Sequence, residues 1–234
     1  MKIIVPPIKI QGIKTKLIPF ILENIKFNNN AQRWVEPFLG SGVVAFNVQP
    51  KRALLSDLNP HIINFYKAVQ DGAITPQIVR GYLQEEGSKL SAGDGEYYYE
   101  VRKRFNISHS SLDFLFLSRA GFNGMIRFSK NGYNVPFCKK PNRFSPSLIT
   151  KICNQVAAVQ KIIQDNDFTF QVADYTEILD KVSVNDFLYV DSPYIGLNAQ
   201  YKDSWNQENS DDLSKRLLSL KSNFAMSMWQ SNKY

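Results

Sequence analysis

The hexapeptide Tyr189-Val190-Asp191-Ser192-Pro193-Tyr194 holds the densest set of chemically useful groups in the chain. It places a carboxylate, a turn stiffened by proline and an aromatic plate at the end of an apolar run. A carboxylate beside a backbone carbonyl can accept both N–H bonds of an exocyclic amine. Such an amine is a poor nucleophile because its lone pair is delocalised into its ring. Acceptors that draw its hydrogens toward tetrahedral geometry free that pair, and Tyr194 would stack on the ring. Asp191, Ser192, Pro193 and Tyr194 are therefore candidate catalytic residues for transfer to a ring amine. The plainer reading is an Asp cap, a Pro turn and a core Tyr, and the tetrapeptide alone leaves both open.

Three further acids are expected at strand ends: Glu36, just before Phe38-Leu39-Gly40-Ser41-Gly42, then Asp57 and Asp174. Open α/β sheets bind ligands at the carboxyl ends of their strands. A loop for di- or triphosphates pairs its glycines with a lysine. This loop has none, and the acid before it favours a cationic or neutral ligand. An acid ending a second strand is the usual clamp for ribose hydroxyls. Together these features fit a nucleoside carrying an amino acid, namely S-adenosylmethionine. Taken singly, each is weak: a glycine loop is often only a tight turn, and a strand-end acid only a helix cap.

The elements that must position these residues follow from apolar spacing. Residues 14–26 carry Leu17, Ile18, Ile21, Leu22 and Ile25 at helical intervals. Residues 34–38 read as a buried strand, 43–48 as the start of a helix, and 53–56 as a second strand. A helical stretch after Asn59-Pro60 reaches residue 69. The middle differs: 75–86 looks helical, 87–95 is a loop rich in Gly and Ser, and 96–105 is an aromatic, basic helix. Residues 126–137 predict two short strands around Asn131-Gly132, with positive φ at both turn residues. Ser145-Pro146 starts a helix to about residue 164, the serine capping it. Strands at 168–172, 187–190 and 224–228, with an amphipathic helix at 210–220, complete an α/β parallel sheet.

The chain has 234 residues, 44% hydrophobic and 21% charged, values of a globular protein with one large domain or a domain carrying an insertion. No apolar run approaches the ~20 residues of a membrane span, and the start lacks the apolar stretch of a signal peptide. Two cysteines, Cys138 and Cys153, are too few for a disulfide framework or a zinc or iron–sulfur site. A reduced, cytoplasmic protein without a metal is expected. The net charge of +7 is concentrated: residues 97–161 hold 11 basic side chains against Glu100 and Asp113. The remainder sums to −2. Charge alone allows either a solvated surface or a polyanion-binding segment set into a near-neutral body.

In order and interval, these motifs resemble the Dam-like family of adenine-N6 DNA methyltransferases, in the permutation with target recognition between the cofactor and catalytic halves. Pro7-Ile8-Lys9-Ile10-Gln11-Gly12-Ile13-Lys14 resembles the family's N-terminal cofactor motif, Glu36 to Gly42 its glycine motif, and Ser56-Asp57-Leu58-Asn59 its ribose motif. Arg119-Ala120-Gly121-Phe122-Asn123-Gly124-Met125-Ile126-Arg127-Phe128, with Asn134-Val135-Pro136-Phe137, resembles the DNA-reading hairpin. Asp191 to Tyr194 aligns with the catalytic Asp-Pro-Pro-Tyr. The resemblance implies a Rossmann-like S-adenosylmethionine-dependent methyltransferase sheet (1–70 and 166–234) with an inserted, mostly helical target-recognition domain (71–165) containing a β-hairpin. It implies cofactor contacts from Ile10, Lys14, Glu36, Pro37, Phe38, Gly40, Gly42, Asp57, Asp174, Tyr175 and Asp191. DNA contacts fall to Lys9, Arg119, Phe122, Asn123, Met125, Arg127, Asn134, Pro136, Lys139 and Lys140. Lys9 matches a guanine-reading lysine; Arg127 would read a base edge or hold a phosphate. Tyr201 and Trp205 would help Tyr194 hold a flipped base. Duplex DNA is the implied partner, with a cognate restriction endonuclease in the same system and no membrane.

Two departures carry expectations. Ser192 stands where the family has its first catalytic proline, so the carbonyl remains but the loop is less pre-organised and a slower enzyme is expected. The chain stops soon after its fifth parallel strand, where the family's sheet continues with a helix and hairpin. A truncated chain, a natural fragment or a complementing chain is expected on that ground. N4-cytosine methylation is the alternative within enzymes. A sequence-specific DNA-binding protein with impaired catalysis and an RNA-directed enzyme are the others.

Overall fold

Short apolar runs, each closed by an acid or a turn, are what strands buried on both faces of a parallel sheet require. The computed structural model describes residues 2–93, 95–194 and 205–228. Its strands, in chain order, are β1 (Arg33–Glu36), β2 (Arg52–Asp57), the pair β3 (Phe128–Ser129) and β4 (Gly132–Tyr133), β5 (Asp167–Val172), β6 (Asp186–Val190) and β7 (Asn223–Met226). The helices are α1 (Ile18–Asn24), α2 (Val43–Val48), α3 (Pro60–Gln70), α4 (Pro76–Ala92), α5 (Glu96–Ser108), α6 (Ser111–Ala120), α7 (Pro146–Asp165), α8 (Tyr175–Leu179) and α9 (Gln207–Ser219).

Five strands form one parallel sheet in the order β5-β2-β1-β6-β7, and β3-β4 form a separate antiparallel hairpin. This is a Rossmann-like sheet, with the chain reversing its direction of travel between β1 and β6. Alternation along the strands divides the core. Trp34, Leu55, Phe168, Phe170, Phe187 and Tyr189 face one cluster, and Val35, Leu54, Leu188 and Val190 the other. At the opposite end from the acids, Arg33 grips Asp186 with Nε at 2.9 Å and Nη2 at 2.8 Å, tying β1 to β6. Among the described residues, β7 pairs only with β6.

The first cluster is continuous with the insertion: Tyr98, Phe114, Val135 and Val159 belong to the same core as Leu55 and Phe187. α7 packs on α3 and β5 as well as on α4. The second cluster, under α8 and α9, holds Tyr175, Ile178, Trp205, Leu213 and Leu217.

Four local expectations change. Residues 14–26 split into a 3-10 turn (Thr15–Leu17) and α1. The expected loop at 87–95 is mostly helix, because α4 runs through Gly87 to Ala92. Gly87 is there for close approach: a Cβ would lie 2.5 Å from Cβ of Phe144. The hairpin pairs Phe128 with Tyr133 and Ser129 with Gly132, so its turn is Lys130-Asn131 and only Gly132 takes positive φ, +94°. Asn106 sets this register, accepting from the Tyr133 N–H at 2.7 Å and donating to its carbonyl at 3.1 Å. Ser145 stands at the N-cap of α7 but does not cap it; its hydroxyl pairs with that of Ser147 at 3.3 Å.

Candidate active site

A reversal in strand order leaves a crevice beyond the carboxyl ends of the two strands that flank it. Here β1 delivers Glu36 and β6 delivers Asp191 to that crevice. β2 adds Asp57 and β5 leads into Asp174 and Tyr175. The resulting cleft is lined by Ile10, Lys14, Glu36, Pro37, Phe38, Gly40, Asp57, Asp174, Tyr175, Asp191, Ser192, Pro193 and Tyr194. Gly42 is set back from it. At φ +72° it starts α2, and a Cβ there would strike the Phe46 ring at 2.5 Å. Gly40, at φ +53°, has open space on its Cβ side and donates its N–H to Asp57 Oδ2 at 2.8 Å.

Four carboxylates line the cleft and differ in what holds them; Asp174 caps α8, accepting the Thr176 N–H at 2.9 Å. Asp57 takes the N–H groups of Gly40 and Asn59, both at 2.8 Å; burial nevertheless raises its pKa against those bonds. Glu36 is 2% exposed and accepts the Trp34 indole N–H at 2.9 Å. Burial pushes it up to about 8, and the negative charge of Asp191 adds to the rise. Asp191 pairs with Lys14 Nζ at 2.8 Å and accepts from the Tyr194 hydroxyl at 3.2 Å. Burial raises the Asp191 carboxyl while Lys14 opposes the rise; burial would lower the Lys14 ammonium, and Asp191 more than offsets it. The same ammonium lies 5.1 Å from the centre of the Tyr194 ring. An acid-rich cleft of this kind, with no cation besides Lys14 among its lining residues, suits a ligand bearing positive charge.

An aromatic wall closes the other side. Phe38 and Tyr175 stack with ring centres 5.6 Å apart, and Trp205 sets its edge against both at 5.4 Å. Trp205 was expected beside the base-holding Tyr194. It lines the same cleft as Tyr194 and packs on Phe38 and Tyr175, residues expected for the cofactor. Tyr201 lies outside the described residues.

The residues expected to meet DNA fall into two groups. Phe122 is 47% exposed on a 3-10 turn whose apex, Asn123, adopts the left-handed conformation at φ +50°. Arg127 is exposed and braced by Asn134, with Nε 2.8 Å from Oδ1 and Nη2 3.1 Å from the carbonyl. Pro136, Lys139 and Lys140 are exposed and Met125 is half-buried. Lys9 packs under Gly124, and its pKa is lowered by burial, then by Arg143, with Arg119 and Lys140 adding to the effect. Arg119 turns inward: Nε donates to the Pro7 carbonyl at 2.6 Å and Nη2 to Gln155. Its geometry joins the N-terminal segment to α6 and α7.

Residues 11–233 match the family model of the D12 class N6 adenine-specific DNA methyltransferases. The chain belongs to this family. It is 32% identical over 204 residues to the DNA adenine methylase of Haemophilus influenzae, covering 83% of this chain and 65% of that protein. To the DNA adenine methylase of Vibrio cholerae it is 33% identical over 175 residues, covering 72% and 58%. The type II methyltransferase M1.LlaDCHI of Lactococcus lactis is 28% identical over 204 residues. The chain thus spans about six-tenths of the length of the first two relatives.

The cleft also contains residues given no role by the sequence: Ser41, Leu58 and Tyr189, which sit inside the motif segments, and Asn209, which lies outside them all. Tyr189 is a core residue by periodicity, with its hydroxyl 2.6 Å from that of Ser227. Asn209 arrives on α9, about 170 residues after the glycine loop, and only the fold brings it there. No described helix is long and apolar enough to cross a membrane.

Proposed function

We propose that this chain transfers a methyl group from S-adenosylmethionine to adenine N6 in duplex DNA, at a short target sequence, after the base has left the helix. The observation that carries this reading is the placement of Asp191 just after β6, in one cleft with Glu36 and hydrogen-bonded to the Tyr194 hydroxyl, among four carboxylates. The donor set fits the cofactor: Asp57 for the ribose hydroxyls, Phe38 and Tyr175 for the purine, Asp191 for its positive charge, the Glu36 carboxyl as a hydrogen-bonding group beside it, and Lys14 for its carboxylate. When bound, S-adenosylmethionine supplies an electrophilic methyl group.

Asp191 and the Ser192 carbonyl would accept the two N–H bonds of the adenine amine and direct its lone pair at that methyl. The N–C bond would form as the S–C bond breaks, the electron pair leaving with the sulfur and one amine proton leaving by way of Asp191 to solvent. Lys14 and the Tyr194 hydroxyl hold both Asp191 oxygens before substrate arrives, so the acceptor is fixed in place rather than assembled on binding. Tyr194 stacks on the extruded base. No covalent intermediate on the chain is required; positioning and the two acceptors supply the catalysis. Lys139, Lys140 and the rest of the basic segment hold phosphates, and Lys9 and Arg127 read base edges. That pair favours a target containing guanine-adenine-thymine. The reading places the protein in the cytoplasm. Relatives named type II methyltransferase and modification methylase make a cognate restriction endonuclease the partner to test.

The experiment is methylation of duplex DNA by the wild type and by Asp191→Ala, with analysis of the modified nucleosides. N6-methyladenine is expected from the wild type, with a loss of at least about 10²-fold in the variant. N4-methylcytosine as the sole product, or tight binding without turnover, would overturn it.

A further inference from the structure

We infer that the first turn of α9 builds the purine end of the cofactor site, with Trp205 as a ring plate and Asn209 as a hydrogen-bond donor to the base. This rests on the proposed use of S-adenosylmethionine and assigns two residues to it from a part of the chain that carries no cofactor motif.

Strand order fixes which end of the ligand α9 can touch. The methyl must lie near Asp191 at the end of β6, and the ribose near Asp57 at the end of β2. The ligand therefore runs across the strand ends from β6 toward β5, and its purine falls at Tyr175, just beyond β5. That is where α9 reaches. Trp205 is 9% exposed and edge-on to Phe38 and Tyr175 at 5.4 Å. Asp212, one turn further along α9, accepts the Tyr175 hydroxyl at 2.9 Å, so the helix is pinned to the same residue from two sides. Trp205 lines the cleft at a wall already formed by the other two rings, so the part of its ring that reaches the cleft can contact a flat ligand there.

Asn209 has a defined orientation. Its Oδ1 accepts the Asn206 N–H at 3.0 Å in a reciprocal cap at the start of α9. The cap commits the oxygen and turns the amide nitrogen of the same group the other way. Asn209 lines the cleft, so what it can offer there is an N–H donor. Purine ring nitrogens are acceptors. An amide donor at that position would match adenine through one of them.

The test is calorimetric binding of two probes, S-adenosylhomocysteine and 5′-methylthioadenosine, the second lacking the amino acid. Trp205→Ala is expected to weaken both probes roughly tenfold or more. Asn209→Asp keeps the capping oxygen but replaces the donor with an acceptor, and is expected to weaken both by about tenfold. Leu217→Ala, buried on the same helix but away from the cleft, controls for loosened packing; it should melt earlier and bind both probes as the wild type does. Affinities within twofold of wild type in either cleft variant, or a loss confined to S-adenosylhomocysteine, would overturn the assignment. So would an equal loss in Leu217→Ala. A wild type that binds neither probe removes the cofactor reading itself, and this inference with it.

Discussion

Glu36 is the group whose charge the cleft decides. Burial holds its carboxyl near 8, so at neutral pH it is protonated in the fold. Its folded pKa lies above its unfolded value. The stability it allows is therefore complete below the ordinary carboxylate range and is lost as pH rises through about 8. Glu36→Gln keeps an acceptor for the Trp34 N–H and removes the ionisation. Its melting temperature is expected to fall less between about pH 5 and 9 than that of the wild type, since Asp57 and Asp191, whose carboxyls burial also raises, remain in both. A parallel decline in both proteins would refute the assignment. Ser192 gives a second prediction at this scale. Ser192→Pro restores ring restraint to a buried loop position whose carbonyl, under the proposed function, accepts from the substrate amine, so single-turnover methylation should speed up; an unchanged or lower rate counts against a slower serine loop. Glu36, Asp57 and Asp191 were legible because each ends or directly follows a strand, a local pattern, whereas Asp174 lies two residues beyond β5 and caps α8. Arg119 and Trp205 were not, because a motif position says nothing about direction. The Pro7 carbonyl and Gln155 draw Arg119 inward, and Trp205 packs against the Phe38 and Tyr175 rings.

The hairpin shows how one element is held to another. His61, at the start of α3, stacks on Phe128 of β3 with centres 4.9 Å apart and meets Phe105 and Phe114 on its other sides. Its Nδ1 is buried without a hydrogen-bond partner, and His109 lies 5.1 Å away. Burial, then His109, lowers the His61 pKa to about 4. A depressed histidine contributes stability above its unfolded pKa, about 6.5, and loses it as pH falls through about 4. Protection factors of the β3 and β4 amides, taken relative to the intrinsic exchange rate at each pH, should fall across that window in the wild type and much less in His61→Phe; identical profiles would exclude the stack as the cause. Gly87 offers a test by volume. Gly87→Val would drive a side chain into Phe144, with an expected loss of about 1–3 kcal/mol by chemical denaturation. The strands of the sheet could be read to within a residue or two because period and polarity agree there. The helix through Gly87 and the hairpin register could not, since each is set by a residue distant in sequence, Phe144 in one case and Asn106 in the other.

Charge is a property of the whole molecule. Eleven basic residues against two acids between positions 97 and 161 make the inserted segment a cation on a near-neutral body. DNA affinity should fall linearly on a log–log plot against salt, and Lys139→Glu with Lys140→Glu should flatten the slope by about 2 if both meet phosphates. An unchanged slope would place those lysines outside the interface. The segment's composition was readable from sequence, whereas its attachment was not. Nothing local to residues 71–165 announces that they share a core with the sheet, as Tyr98, Phe114 and Val159 do with Leu55 and Phe187. That shared core also bears on who does the bending. Two bodies on a hinge could close around a straight duplex, each adjusting to the other. A recognition segment fused to the sheet through one interior, and fastened again by the His61–Phe128 stack, has little room to adjust. Under the proposed function the distortion falls on the nucleic acid, which must kink and surrender a base to reach Asp191. Duplexes already weakened at the target adenine, by a mismatch opposite it or a gap in the other strand, should therefore bind more tightly than intact ones of the same sequence.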